Sequence, residues 1–229
     1  MNASKSTRIA KNTVLLYVRM LVVMIINLYT VRLVLNALGI EDYGIYNVVA
    51  GVIIMLQSVS SVLSSATQRY YSYFLGGNKK EYLRNIFSAS INIYILFSFI
   101  VVILGETIGL WFINTQLVLP SDRLIAANYI YQFSIFSFIC TIVQVPYSAV
   151  MIAHEDMGIF AMISTLEAAL KLMFALLLFV IPLDRLIFYG ASLFLIPVLS
   201  LVSYIVIGYK RYTECHYQKV SEKILYKNL

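Results

Sequence analysis

Six long apolar segments, each separated from the next by a short turn or charge signal, constrain this chain more than any other feature of its sequence. A helix that crosses a membrane needs about 20 predominantly apolar residues. The segments cover residues 13–38, 43–65 (with helix continuing to 75), 85–112, 124–153, 158–181 and 186–209. Backbone polar groups in lipid must be hydrogen-bonded within the protein, which only helices and closed barrels achieve, and these segments are too long for barrel strands. The sequence therefore predicts an all-α fold: a polytopic membrane protein with a bundle of six transmembrane helices.

The composition excludes a water-soluble globular domain. Hydrophobic residues make up 61% of the chain and charged residues only 12%, whereas soluble domains contain roughly 25% charged residues. A soluble fold could not cover its surface with so few polar groups. The formal net charge of +6 would indicate nucleic-acid binding in a soluble protein. Here the excess of Lys and Arg beside cytoplasmic membrane boundaries explains it, so no nucleic-acid partner is predicted.

The distribution of positive charge predicts the orientation of the bundle. On one side lie Lys5, Arg8, Lys11, Arg69, Lys79, Lys80, Arg84, Lys210, Arg211, Lys219, Lys223 and Lys227, and on the other only Arg123 and Arg185. Since loops rich in Lys and Arg stay in the cytoplasm, both termini are predicted to be cytoplasmic. Residues 1–12 then form a cytoplasmic arm, residues 13–210 the six-helix unit, and residues 211–229 a basic cytoplasmic tail.

Two arginines lie within the first apolar segment, Arg19 near its start and Arg32 near its end. Charged residues inside spans are costly and commonly mark pathways or pairs. Thirteen positions separate the two arginines, which is roughly 140° around a helix axis, so a single ligand is not expected to contact both. Arg32 can extend its guanidinium to the membrane surface. For Arg19 two interpretations stay open, the same extension to lipid phosphate or a cation that faces a cavity.

Glu167 and Lys171 stand four residues apart in the fifth segment, with the acid first, which is the favourable order for a helical ion pair. One interpretation is a structural ion pair, and the other is a substrate or proton-coupling site. Glu106 lies nearer to a membrane boundary, beside Trp111. Our hypothesis is that Arg19, Glu167 and Lys171 line a central hydrophilic cavity.

Uncharged polar residues are spread over four of the segments. They are Asn27, Asn47, Gln57, Gln68, Asn92, Gln132 and Gln144. Most are predicted to form hydrogen bonds between helices, and Asn27 and Gln57 are further candidates for the cavity, together with Arg32. The serine-rich stretch 58–66 predicts either close helix packing or a sliding surface, and Pro146 and Pro197 predict kinks.

No enzyme signature is present in the sequence. It contains no phosphate-binding loop and no nucleophile elbow, and His154 with Glu155 lacks the second histidine of a zinc helix. Cys140 and Cys215 show no metal or disulfide spacing. We therefore predict no catalytic residue, no metal and no cofactor.

Several short runs resemble one family of membrane proteins. They are residues 12–20 (NTVLLYVRM), 28–32 (LYTVR), 38–49 (LGIEDYGIYNVV), 66–69 (ATQR), 145–149 (VPYSA) and 152–155 (IAHE). Together they resemble the N-terminal half of polysaccharide-biosynthesis proteins, the lipid-linked oligosaccharide flippases of the multidrug/oligosaccharidyl-lipid/polysaccharide exporter superfamily. The resemblance covers about residues 8–215, and the LGxxDYG turn after the first segment is its most specific part.

The resemblance implies one six-helix lobe of a two-lobe exporter in a bacterial inner membrane, with residues 211–229 as the start of a linker between lobes. The implied substrate is an undecaprenyl-pyrophosphate-linked oligosaccharide for surface polysaccharide or lipopolysaccharide (O-antigen). The implied partners are membrane lipids and a second lobe or a second copy of the chain. Arg19 would supply a cation for the pyrophosphate, which suits its forked, permanent charge.

Two alternatives remain open. A multidrug and toxin extrusion-type exporter would couple cations through a membrane carboxylate, for which Glu106 and Glu167 are the candidates. A membrane glycosyltransferase would use the acidic residues Glu41 and Asp42 after the first segment.

Overall fold

The computed structural model describes residues 2–77 and 80–218, and within them every regular element is helical. The elements are α1 (Asn2–Gly76), α2 (Lys80–Leu104), a π-helical turn (Gly105–Gly109), α3 (Leu110–Thr115), α4 (Leu124–Val143), α5 (Val145–Ala153), α6 (Met157–Leu177), α7 (Arg185–Arg211) and a 3-10 turn (Thr213–Cys215). This confirms the all-α prediction. The end of the predicted basic tail, residues 219–229, lies outside the described residues, as do Met1 and residues 78–79 at the predicted second loop.

α1 consists of two limbs that meet at Gly39. This glycine has φ 80° and ψ 174°, which is not helical, and a positive φ is accessible to glycine at little cost because it has no Cβ. We call residues 2–38 the first limb and residues 40–76 the second limb. The two predicted segments 13–38 and 43–75 correspond to these limbs, although the hydrogen-bond pattern joins them into one element.

The contacts of the limbs show that they run in opposite directions. Asn12 Nδ2 on the first limb donates to the carbonyl of Glu155, between α5 and α6, at 3.2 Å. Tyr71, near the end of the second limb, packs in the same region of the bundle, against the end of α5. The carbonyl of Ala37, just before the turn, instead accepts from Arg185 Nη1 at the start of α7, at 3.0 Å. The chain therefore passes along the bundle and back within α1.

Five stretches of the described residues are helical, long and apolar enough to cross a membrane. They are Asn12–Gly51, Tyr82–Thr115, Leu124–Ala153, Met157–Leu177 and Arg185–Arg211. The first includes the Gly39 turn, and the second limb is not a separate candidate span among the described residues; that it forms a sixth membrane pass stays a prediction. Several apolar helices of this length are consistent with the predicted multi-pass membrane protein.

Alternate passes bring the loops to two ends of the bundle. The Gly39 end contains residues 39–42, 116–123 and 178–184, and the Gly76 end contains residues 76–77, 154–156 and 212–218. Thus Asn12 and Gln218 lie at the same end, as the charge pattern predicted. That the Gly76 end faces the cytoplasm stays a prediction.

The interior is organised around α4. Its residues Ile130, Tyr131, Ile135 and Phe138 are each at most 2% exposed, and they pack against α2, the second limb and α7. Many large apolar side chains are exposed instead, above all on the first limb, for example Tyr17, Ile25 and Leu28. An apolar exterior of this kind suits a lipid environment, because lipid tails solvate leucine and valine well.

Candidate substrate cavity

A partly open cavity of about 490 Å³ lies between the second limb, α4, α5, α6 and α7, and its lining residues Gln57 and Ser61 are exposed. The polar side chains that line it are Tyr46, Gln57, Ser60, Ser61, Ser64, Ser134, Ser137, Thr141, Gln144, Ser148, Glu167 and Lys171. The remaining lining residues are Ala50, Val145, Leu193, Ile196 and Pro197. Hydroxyl and amide groups are therefore concentrated at one place in a bundle whose exterior is apolar.

The serines reach the cavity because of helical spacing. On the second limb, Gln57, Ser60, Ser61 and Ser64 follow the i, i+3, i+4, i+7 pattern that places side chains on one face. The serine-rich stretch was predicted to pack helices or to slide, and a cavity lining was not anticipated from it. Small residues serve all three purposes, so the sequence alone does not separate them.

Many of these hydroxyls donate to the backbone of their own helix. Ser61 Oγ donates to the carbonyl of Ser58 at 2.7 Å, and Thr141 Oγ1 donates to the carbonyl of Ser137 at 3.0 Å. Ser148 follows the same pattern with Val145 at 2.9 Å. A hydroxyl has one donor and two acceptor lone pairs. Hydroxyls bonded in this way keep acceptor capacity for the O–H and N–H groups of a ligand.

Gln144 lies in the predicted fourth span, 124–153, between α4 and α5, and keeps helical φ and ψ angles. α4 ends at Val143 and α5 begins at Val145, and Pro146 has no N–H to continue the helical hydrogen bonds. The Oε1 atom of Gln144 is buried and has no hydrogen-bond partner among the described residues. A buried acceptor without a partner raises the free energy of the folded protein, and a donor that reaches it removes this cost.

Glu167 and Lys171 both line the cavity from α6, but they do not pair. The carboxylate of Glu167 accepts a hydrogen bond from Ser200 Oγ on α7. Within the described part of the chain, no ion pair with an N···O distance of 4.0 Å or less joins Glu167 to Lys171 or to any other cation. The structural ion pair, one of the two interpretations from the sequence, is therefore not formed. The Glu167 carboxylate faces Ser200 on α7 and not Lys171 on its own helix.

Arg19 contacts α6 through Ser164 and Phe160. Its Nε donates to Ser164 Oγ at 2.6 Å, and its guanidinium carbon lies 4.5 Å from the centroid of the Phe160 ring. Arg19 and Asn27 line a separate groove of about 670 Å³ along the first limb. Arg19 is thus not among the residues that line the cavity of Glu167 and Lys171, and the hypothesis that the three act in one site stays a prediction.

Of the six predicted site residues, the structure brings three together. Gln57, Glu167 and Lys171 line the cavity, whereas Arg19 and Asn27 line the groove. Arg32 is exposed on the first limb and belongs to neither lining. The residues that sequence reasoning missed are the serines and Thr141, together with Gln144, which was assigned to hydrogen bonding between helices.

Glu106 lies away from the cavity, in the π-helical turn. Its carboxylate accepts from Gln132 Nε2 at 3.2 Å, and in the same turn the carbonyl of Gly105 accepts from Tyr131 Oη at 2.9 Å. Gly109 permits this close approach, since a Cβ at that position would lie 1.7 Å from the Tyr131 hydroxyl. The turn is therefore built around a tyrosine that enters between two glycines.

At the Gly39 end, Arg123 bridges two carboxylates. Its Nε lies 3.1 Å from Asp42 Oδ1 and its Nη1 lies 2.8 Å from Asp184 Oδ2. Asp184 also caps α7, accepting from the backbone N–H of Leu186 at 3.0 Å. Asp42, the acid of the glycosyltransferase interpretation, is 8% exposed and engaged in this bridge.

At the Gly76 end, residues 212–218 lie across α2 and the turn between α5 and α6; we call them the strap. The carboxylate of Glu214 pairs with His154, and this hydrogen bond holds the pKa of Glu214 below its usual value. The Gln218 backbone N–H donates to Ser88 Oγ on α2 at 3.0 Å. Cys215 is buried beneath the strap, and burial raises the pKa of its thiol to about 12.

Comparisons of this chain with protein-family models, curated proteins and solved structures find no match. The family resemblance therefore stays a prediction from the sequence. Among the residues described, no group of three or more His, Cys, Asp and Glu side chains is arranged to hold a metal ion.

Proposed function

We propose that the chain is a membrane transporter that moves the hydrophilic part of a lipid-linked oligosaccharide across a bacterial inner membrane, for export of surface polysaccharide or lipopolysaccharide. The observation that carries the proposal is the cavity lined by hydroxyl and amide groups inside an apolar helical bundle. A polar solute in transit must exchange water for protein groups that replace its hydrogen bonds, because unpaired polar groups in an apolar medium are costly. This cavity supplies such groups.

The chemistry of the lining suits a saccharide. Each sugar hydroxyl is a donor and an acceptor, and the six serines, Thr141 and two glutamines of the wall offer both functions. The cavity volume of about 490 Å³ falls in the range of about 300–1,000 Å³ that is usual for small-molecule sites. It suits a saccharide head, while the lipid chain stays among the exposed apolar side chains of the bundle.

Lys171 takes the role in our proposal that the resemblance gave to Arg19. It is the cation that lines the cavity, whereas the Arg19 guanidinium is engaged by Ser164 and Phe160. A lysine ammonium binds phosphate as a compact point charge. The six-pass bundle acts as one lobe, and a second lobe or a second copy of the chain completes the transport pathway.

The test is the transbilayer position of lipid-linked repeat units. Deletion of the gene should leave these units on the cytoplasmic leaflet, inaccessible to a membrane-impermeant lectin applied outside spheroplasts, and the intact gene should restore access. Ser134→Leu, which obstructs the cavity, should restore much less. Ser203→Leu is the matched control, because both serines donate to the backbone of their own helix and Ser203 lies outside the cavity lining. Normal surface polysaccharide in the deletion strain contradicts the proposal.

One observation favours a second candidate, a multidrug and toxin extrusion-type exporter. Such an exporter needs a membrane carboxylate that is available to cations, and Glu167 has no cation within ion-pair distance in the described residues. The deletion strain decides between the two. Raised accumulation of cationic dyes with normal surface polysaccharide supports the drug exporter, and stranded lipid-linked units with unchanged dye accumulation support the flippase.

A further inference from the structure

The two charged side chains of the cavity have opposite signs and remain separate. Glu167 and Lys171 are four residues apart on α6, which corresponds to about 6 Å along the helix axis. Each lines the cavity, and Ser200 holds the Glu167 carboxylate from α7. The wall therefore presents a negative and a positive group at two neighbouring positions.

The remaining lining residues do not cancel either charge. They are serines, one threonine, two glutamines, one tyrosine and five apolar residues, none of which carries a charge at neutral pH. Arg19 on the first limb is bonded to Ser164, three residues before Glu167 on α6, and no ion pair joins it to Glu167 in the described residues. The formal charges of the lining residues therefore sum to zero, but the cavity wall carries one negative and one positive side chain.

We propose that the cavity selects a zwitterionic head group, a sugar unit that carries both an ammonium group and a carboxylate or phosphate. This inference rests on the proposed function and names its substrate class. The ligand ammonium pairs with Glu167, and the ligand anion pairs with Lys171. A ligand with one charge satisfies one of these side chains and is repelled by the other, and an uncharged sugar satisfies neither.

A third contact supports the recognition of such a unit. The Oε1 atom of Gln144 is buried without a partner in the described structure and lines the same cavity. A sugar hydroxyl can donate to it when the neighbouring side chains shift, because the atom itself is covered by them. A ligand that leaves a polar group of the site unpaired is rejected more strongly than a ligand that only loses an apolar contact. Two charges and one acceptor therefore fix the orientation of a single sugar ring.

The test uses four monosaccharides with the same pyranose framework. They are 2-amino-2-deoxyglucuronic acid, which carries both charges, glucosamine, glucuronic acid and glucose. Binding to the purified protein in nanodiscs is measured by equilibrium dialysis with labelled sugar. The double-charged sugar should bind at least tenfold more tightly than each of the other three.

Single neutralising variants should change the order of preference in opposite directions. Glu167→Gln should raise the preference for glucuronic acid over glucosamine, and Lys171→Met should reverse it. Arg32→Met is the matched control for loss of a positive charge, since Arg32 is exposed outside the cavity, and it should leave the order unchanged. Size-exclusion profiles and thermal unfolding verify that each variant is folded. If both cavity variants fail to fold, Glu167→Asp and Lys171→Arg, which keep the charges, should retain the wild-type order.

Failure of this inference can be told apart from failure of the proposed function. Equal binding of all four sugars, or no binding of any, overturns the zwitterion inference, even if lipid-linked units remain on the cytoplasmic leaflet of the deletion strain. The expected order of binding in a protein whose deletion leaves surface polysaccharide intact supports the cavity specificity and overturns the flippase function instead.

Discussion

Glu167 on α6 accepts its hydrogen bond from Ser200, 33 residues further along the chain on α7, although Lys171 lies one turn away on its own helix. A buried hydroxyl from a neighbouring helix thus holds the carboxylate in place of the local cation. Ser200 is only 3% exposed, so water does not readily replace it. The separation of the two cavity charges depends on this contact between helices.

Ser200→Ala should destabilise the protein and bring Glu167 towards Lys171. Hydrogen bonds to charged groups contribute about 1.5–3 kcal/mol, so a loss of about 1–3 kcal/mol in the free energy of unfolding is expected. Unfolding in mixed micelles with increasing SDS measures it. Ser203→Ala is the control, because Ser203 donates only to the carbonyl of Leu199 in its own helix. Equal effects of the two substitutions contradict the role of Ser200.

The sequence was sufficient for those features that depend on local patterns. The lengths of the apolar segments and the turn at Gly39 predicted the long helices of the bundle. The kink expected at Pro146 stays a prediction, because helical hydrogen bonds continue through Gln144. The sequence could not decide between the two interpretations of Glu167 and Lys171, because Ser200, the partner of Glu167 in the structure, is distant in sequence. No local signal shows which helix a carboxylate will face.

The site was only partly predictable for a related reason. Gln57, Glu167 and Lys171 were identified because polar residues are rare in apolar segments, but the serines are equally suited to close packing. Which face of a serine-rich helix borders a cavity is decided by the neighbouring helices. The partners of Arg19 could not be predicted for the same reason, since Ser164 and Phe160 come close to it only in the folded protein.

The bridge at the Gly39 end should be detectable as coupling between Arg123 and Asp42. Arg123→Met and Asp42→Asn should each lower the free energy of unfolding, and their double variant should lose less than the sum. The Arg123 side chain is 32% exposed, so solvent screening limits the expected coupling to about 1 kcal/mol. Arg32→Met with Asp42→Asn is the control pair and should be additive.

The same variants test the glycosyltransferase alternative. Asp42→Asn keeps the size of the side chain and removes its charge. If Asp42 has a structural role, surface polysaccharide should be assembled at the wild-type level in any variant that remains folded. Complete loss of assembly by a folded Asp42→Asn protein favours the enzyme.

Gly109→Ala should destabilise the π-helical turn. The new Cβ would lie 1.7 Å from the Tyr131 hydroxyl and 2.7 Å from its ring carbon Cζ, and the Tyr131 side chain is packed on all sides, at 1% exposure. Overpacking of this kind costs about 1–3 kcal/mol, measured as the shift of the thermal unfolding midpoint. Gly158→Ala is the matched control, since its Cβ meets no atom within 4 Å. A midpoint shift no larger than that of the control contradicts the close approach.

The strap at the Gly76 end should lose stability in acid through Glu214. The pKa of Glu214 is lowered from its usual 4.5, first by the hydrogen bond from His154. A carboxylate with a lowered folded-state pKa stabilises the protein fully above its usual pKa, and the stabilisation disappears as the pH falls through the lowered value. The difference in thermal midpoint between wild type and Glu214→Gln should therefore be present at about pH 5 and shrink as the pH falls below it. Glu41→Gln, at an exposed position on the opposite end, should show no such change. A difference that stays constant down to the lowest accessible pH means that the pair with His154 does not stabilise the folded strap.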